Sequence, residues 1–153
     1  TIKHKAMQKI TPFLWYNTDL TEVVEFYKSI FKDVVLVNTS PGPDGKIMSA
    51  IFKIYGQQFY ALNGGPMFKF TEAVSFFVSC DTQEEIDDFW EKLSAGGEKS
   101  RCGWLKDKYG LSWQIVPPVL GELLGGADTA KAQRVMNAML QMDKLDIQKL
   151  KDA

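Results

Sequence analysis

The run "LSWQIVP" (111–117) places an amide, Gln114, inside an apolar stretch, where a polar side chain needs either a ligand or a hydrogen-bonding neighbour. Tyr16 in "PFLWYN" and Ser75 in "AVSFFVSC" are further polar groups on apolar, strand-like segments. Their chemistry is mild. None of the three has a base beside it in sequence, so an activated nucleophile is not indicated, whereas orienting a carbonyl or aromatic ligand is within their reach. A core role, satisfied by a neighbour or by buried water, is an equal alternative for each. Trp104 in "CGW" either closes a pocket or packs in the core. Asp107 and Lys108 precede Tyr109-Gly110, and charge beside glycine reads as a solvated turn rather than a catalytic pair. Cys80 and Cys102 are too few and too far apart for a disulfide framework or a metal knuckle and read as two free, packed thiols. The single histidine, His4, precedes the first strand in a stretch (1–8) that reads as a mobile terminus, where a solvated side chain outweighs a ligand.

The elements that must position these groups follow from periodicity. "KITPFLWYN" (9–17) is a strand with Pro12 near its start. Asp19 and Glu22 then have capping-box spacing, and Val23, Phe26, Tyr27, Ile30 and Phe31 mark the apolar face of a helix. Residues 34–55 read as a hairpin around "PGPDG", and "QQFYALN" as a third strand that stops at "GGP". The pattern β-α-β-β-β then recurs. "AVSFFVSC" is a strand, and Thr82 with Glu85 opens a helix carrying Ile86, Phe89, Trp90 and Leu93 that stops at Gly96-Gly97. Tyr55, Gly56 and Phe59 recur as Tyr109, Gly110 and Trp113 at one constant offset. Charge and glycine leave only short strands between 98 and 110.

These elements give an α+β fold of two β-α-β-β-β repeats (about 9–66 and 73–118), forming curved mixed sheets around a cavity within one domain (9–118), plus a C-terminal helical tail (119–153). In the tail, Ala132, Val135, Met136, Met139 and Met142 share one side of a helix that Thr129 can cap, and Ile147 and Leu150 follow a break. Such a stripe packs on its own domain or on a partner subunit. Facing residues two apart on the strands surround the cavity, so Tyr16, Ser75, Phe77, Ser112 and Gln114 are pocket candidates.

Composition removes whole classes of function. With 153 residues, 45% apolar and 24% charged, the chain supports one ordinary core. Lys+Arg 18 against Asp+Glu 19 leaves a net charge of -1 and no basic stripe, which argues against nucleic acid. No run approaches the roughly 20 apolar residues a membrane span needs, and the start "TIKHKAMQKI" has no signal-peptide core, so the expectation is a cytoplasmic protein without membrane contact.

The order of elements, together with "ITPFLWYN", "EFYKSIF", "CGWLKDKYGLSWQIVP" and "KAQRVMNAMLQMDKLDIQKL", resembles the vicinal oxygen chelate superfamily of glyoxalase I, extradiol dioxygenases and the bleomycin and fosfomycin resistance proteins. More narrowly it is similar to the PhnB-like branch, which carries the 3-demethylubiquinone-9 3-methyltransferase label. The resemblance implies four metal-ligand positions, falling on Pro12, Ala61 (or Tyr60 one residue earlier), Ser75 and Gln114. Pro and Ala carry no donor atom, so no metal is expected. "NGGP" and "LGGAD" lack the strand-Gly-x-Gly-helix context of a nucleotide-type cofactor, so no cofactor and no S-adenosylmethionine binding are expected either. The resemblance also implies a homodimer. A metal-free protein holding a small hydrophobic or aromatic ligand in an apolar pocket with Tyr16, Tyr60, Ser75, Phe77, Trp104, Ser112 and Gln114 is the favoured expectation; a superfamily enzyme of unspecified reaction is the alternative.

Overall fold

The computed structural model describes residues 8–153; His4 lies outside them. It contains two compact units, Thr1–Lys69 and Phe70–Ala153. Each repeats one topology.

In the first unit, β1 (Phe13–Tyr16), α1 (Leu20–Lys28), β2 (Val34–Pro41), β3 (Ile47–Ile54) and β4 (Gln57–Asn63) build a sheet of order β1-β4-β3-β2, with β1 parallel to β4 and the other pairs antiparallel. Asp19 caps α1 by accepting a hydrogen bond from Thr21 N at 2.8 Å, which satisfies one of the orphan donors of the first turn. The helix buries Leu20, Val23, Val24 and Tyr27 on Leu14, Tyr16, Phe52 and Phe59, so the alternate strand residues Phe13, Trp15 and Tyr60 lie on the other, open face. Gln8 ties the chain to β4: its amide accepts from Gln58 N at 3.2 Å and donates to Gln58 O at 3.1 Å.

In the second unit, β5 (Ser75–Ser79), α2 (Gln83–Ser94), β6 (Glu98–Lys99), β7 (Trp104–Lys106) and β8 (Ser112–Val116) give the same order, β5-β8-β7-β6, with β5 parallel to β8. Thr82 Oγ1 accepts from Glu85 N at 3.2 Å, the expected capping-box bond, and Gly96 takes φ +76° where α2 stops. Ile86, Phe89, Trp90 and Leu93 bury one face of α2, and Leu105, Trp113 and Ile115 are buried on the helix side of the sheet. Asp107 is not a solvated turn residue. It is 1% exposed, and its carboxylate accepts from Tyr109 N, Leu111 N and Trp113 Nε1 at 2.9, 3.1 and 3.0 Å, so it holds the β7–β8 turn closed from inside.

Three helices follow: α3 (Pro118–Leu124), α4 (Thr129–Leu140) and α5 (Ile147–Asp152). Periodicity does not announce α3, because it is seven residues long and opens on a proline pair; Pro118 at the first helical position suits a site whose N–H would be orphaned anyway. The cap of α4 is Asp128 rather than Thr129, with Oδ1 accepting from Lys131 N at 3.0 Å. Val116 of β8 joins Leu120, Val135, Leu145 and Leu150 in a second apolar cluster, with Met139 and Met142 packed against it. Gln83 of α2 donates to Leu145 O at 3.0 Å and accepts from Ile147 N at 2.8 Å, fixing the tail to its own unit. Among the described residues no helix is long and apolar enough to cross a membrane.

Candidate functional site

The register of the second sheet decides which side chains share its open face. Across β5, β8, β7 and β6, Ser75 opposes Ser112, Ser112 opposes Lys106, and Lys106 opposes Glu98. One step along, Phe77 opposes Gln114, and Gln114 opposes Trp104. Two rows result, one polar and one aromatic with an amide at its centre. The far end of the face, at Val116, is closed by the tail cluster. A cleft of about 420 Å³ opens on this face, walled by Glu72, Glu98, Arg101, Trp104, Lys106 and Ser112. That is within the usual size of a small-molecule site.

The side chains differ in how well the protein satisfies them. Gln114 Nε2 donates to Ser75 Oγ at 3.0 Å, which answers why an amide is tolerated in an apolar strand and leaves its Oε1 as an acceptor. Lys106 pairs with Glu72, which lies on the segment before β5. Its partner's hydrogen bond lowers the Glu72 carboxyl below the usual carboxylate range, and the same bond raises the Lys106 ammonium, so both stay ionised at neutral pH. Ser112 is the exception. Its Oγ is buried, and among the described residues it is the buried side-chain oxygen without a hydrogen-bond partner. An orphaned hydroxyl costs stability, so its presence on a cleft wall points to a ligand atom that completes it.

The expected site residues therefore separate. Ser75, Phe77, Trp104, Ser112 and Gln114 come together on one face. Tyr16 does not belong with a pocket: it is 1% exposed on the helix side of β1, and its hydroxyl bonds the Tyr27 hydroxyl at 3.0 Å. Phe13 and Trp15 take the open face instead. Tyr60 lies beside Phe13, ring centroids 5.8 Å apart, whereas Ala61 is buried on the helix side. Lys106, Glu72, Glu98 and Arg101 were not anticipated. The alternation in "WLK" carried the signal for Lys106, which shares a strand face with Trp104.

The residues at the four positions that the resemblance implies carry little donor chemistry for a divalent ion, each taken by itself. Pro12 offers no side-chain donor, Tyr60 a phenol, Ser75 a hydroxyl already bonded to an amide, and Gln114 that amide. Among the described residues no group of three His, Cys, Asp or Glu could hold a metal. The glycine pairs do not form a cofactor turn. Gly64 packs on the indole of Trp15, Gly65 O accepts from Trp15 Nε1 at 2.9 Å, and no helix follows them. Gly125 and Gly126 separate two helices. Cys80 is fully buried, and burial pushes its thiol up to about 12; Cys102 is half-buried on the cleft wall, and neither is in a disulfide.

The family described as 3-demethylubiquinone-9 3-methyltransferase matches residues 8–116. A solved PhnB protein from Bacillus cereus, which carries the same methyltransferase description, is 34% identical with a TM-score of 0.66, over 72% of this chain and 99% of its own. The chain belongs to this PhnB-like family. The PhnB-like fold is shared more widely: the fosfomycin resistance protein FosX of Listeria monocytogenes superposes with a TM-score of 0.55 at 18% identity, over 80% of this chain and 97% of its own. A protein from Pseudomonas aeruginosa does so at 0.60 and 17%, over 72% and 98%. No curated protein matches. The tail beyond Val116 lies outside the family match, although it is what closes one end of the PhnB-like sheet.

Proposed function

We propose that this PhnB-like chain is a metal-independent small-molecule-binding protein that holds a planar, largely apolar ligand on the open face of its second sheet. The observation that carries the reading is the orphaned Ser112 hydroxyl on the wall of a cleft that also presents Trp104. An apolar surface with a few convergent polar groups is the usual profile of a ligand site. Phe77 adds to it: a phenyl ring 59% exposed beside Gln114 is costly in water unless something covers it. Nucleophilic catalysis is the weaker reading. Lys106 opposes Ser112 in the sheet register, but Glu72 keeps its ammonium protonated, so the lysine does not serve as the base that would activate the hydroxyl. A methyltransferase reading lacks support in the glycine turns described above.

Calorimetry with any aromatic fragment that binds the wild-type chain tests this. Trp104→Ala is expected to weaken such a fragment about tenfold, the scale of one lost aromatic contact with its buried area. An unchanged affinity in that variant would place the ligand elsewhere.

The reading includes a homodimer. Edge strand β2 exposes Val35, Leu36 and Val37 in succession, an apolar edge that a two-fold partner would cover. Sedimentation is expected to give twice the chain mass at micromolar concentration, and a monomer throughout would remove this part of the proposal.

A further inference from the structure

The polar row of the second sheet specifies what kind of ligand fits, given the reading that a ligand lies on this face. Lys106 is the one ammonium in that row, and its partner Glu72 is not part of the sheet. Glu72 sits on the connecting segment before β5, with a side chain 61% exposed, so it reaches the ammonium from solvent. Exposed pairs of this kind are weak, and their carboxylate is exchangeable for another. Ser112 lies directly across from Lys106 with a hydroxyl proton that no atom of the described residues accepts. A carboxylate between them would take that hydrogen bond and the lysine's charge together. With Glu72 turned away, Lys106 and Arg101 stand against Glu98 in the cleft, one positive charge in excess, which suits a monoanion.

The aromatic row sets the other half. Trp104 precedes Lys106 by two residues on the same face, a spacing of about 7 Å along a strand. A carboxylate attached directly to a fused or substituted ring spans that distance. We propose that the cleft takes a planar aromatic monocarboxylate, its carboxylate held by Lys106 and Ser112 in place of Glu72 and its ring laid against Trp104. Glu72 is then an internal competitor that occupies the anion position when the cleft is empty.

Titration calorimetry on the full chain, with 2-naphthoate and its neutral counterpart 2-naphthamide, tests this. Naphthoate is expected to bind at least about tenfold more tightly than naphthamide, and Lys106→Met to erase that preference, since a charge-assisted bond is lost. Ser112→Ala should weaken naphthoate by about threefold or more, and Glu72→Gln should strengthen it by a similar factor as competition is relieved. Ser112→Ala removes an unsatisfied group and Glu72→Gln acts at the surface, so these two decide the matter even if Lys106→Met fails to fold. Equal binding of the two probes, or weaker naphthoate binding in Glu72→Gln, overturns the carboxylate assignment while leaving an aromatic site on this face. Binding of neither probe at millimolar concentration overturns the assignment and the site together.

Discussion

Asp107→Ala is expected to lower the unfolding free energy by about 3–5 kcal/mol, a large part of the 5–15 kcal/mol that domains usually possess. The wild-type carboxylate is buried, and three donors converge on it: the backbone N–H groups of Tyr109 and Leu111 and the indole of Trp113. Alanine removes the acceptor that these three bonds share, and each buried bond lost costs about 1–3 kcal/mol. Asp107→Asn should recover part of the loss, because its amide oxygen can still serve the backbone while its NH₂ confronts the indole N–H. The consequence reaches the cleft. Lys106 and Ser112 stand on either side of the turn that Asp107 holds, so ligand binding should fall with stability in both variants. Urea unfolding followed by tryptophan fluorescence measures the first effect through the midpoint. A change under about 1 kcal/mol for the alanine variant would show that the carboxylate does not organise the turn.

Gly97→Ala should be nearly as damaging for a different reason. A Cβ at residue 97 would meet backbone, standing 2.6 Å from Asp107 C and 2.7 Å from Asp107 O, and closer still to Lys106 O. Backbone held in a sheet cannot swing aside as a side chain can, so β6 must leave β7 or the turn must shift. The expected cost is about 3 kcal/mol, the upper part of the range for overpacking. For a domain of this size that corresponds to a fall in Tm of about 6–12 °C. Gly96→Ala is the matched control. Its φ of +76° imposes a left-handed penalty, but its Cβ would meet the flexible Lys108 side chain at 3.2 Å, so only about 1–2 kcal/mol is expected. Equal melting temperatures for the two variants would contradict the contact argument, since of these two positions only residue 97 faces backbone.

The architecture was legible because two signals with different physical origins agreed. Capping residues at Asp19 and Thr82 marked the helix starts, and the recurrence of Tyr-Gly before Phe59 and Trp113 marked the same turn twice. Gly56 and Gly110 do take φ near +78° and +86°, as a tight turn between antiparallel strands requires. What sequence could not supply was the face of β1. A strand of four residues offers two alternations, and with Leu14 and Tyr16 as apolar as Phe13 and Trp15, nothing in the residue types selects between them. The helix decides it, because Tyr27 of α1 supplies the hydroxyl that Tyr16 needs in order to be buried. Asp107 shows a related limit. Aspartate beside glycine is ordinary turn composition, and only the placement of Trp113 beneath it turns a surface charge into a buried support. The alternation in "WLK" that places Lys106 beside Trp104 is faint, because β6 and β7 are only two and three residues long.

The central claim is that the open face of the second sheet, centred on Ser112, is where this chain meets its ligand. Two-dimensional NMR of the isotope-labelled chain during titration with an aromatic fragment set tests it most directly. The account predicts saturable shifts concentrated on the Trp104 indole, the Gln114 side-chain amide and the backbone of Ser112, with Trp15 and the α1 residues unmoved. Shifts confined to the first sheet or the tail helices, or no saturable shift with any fragment, would contradict it.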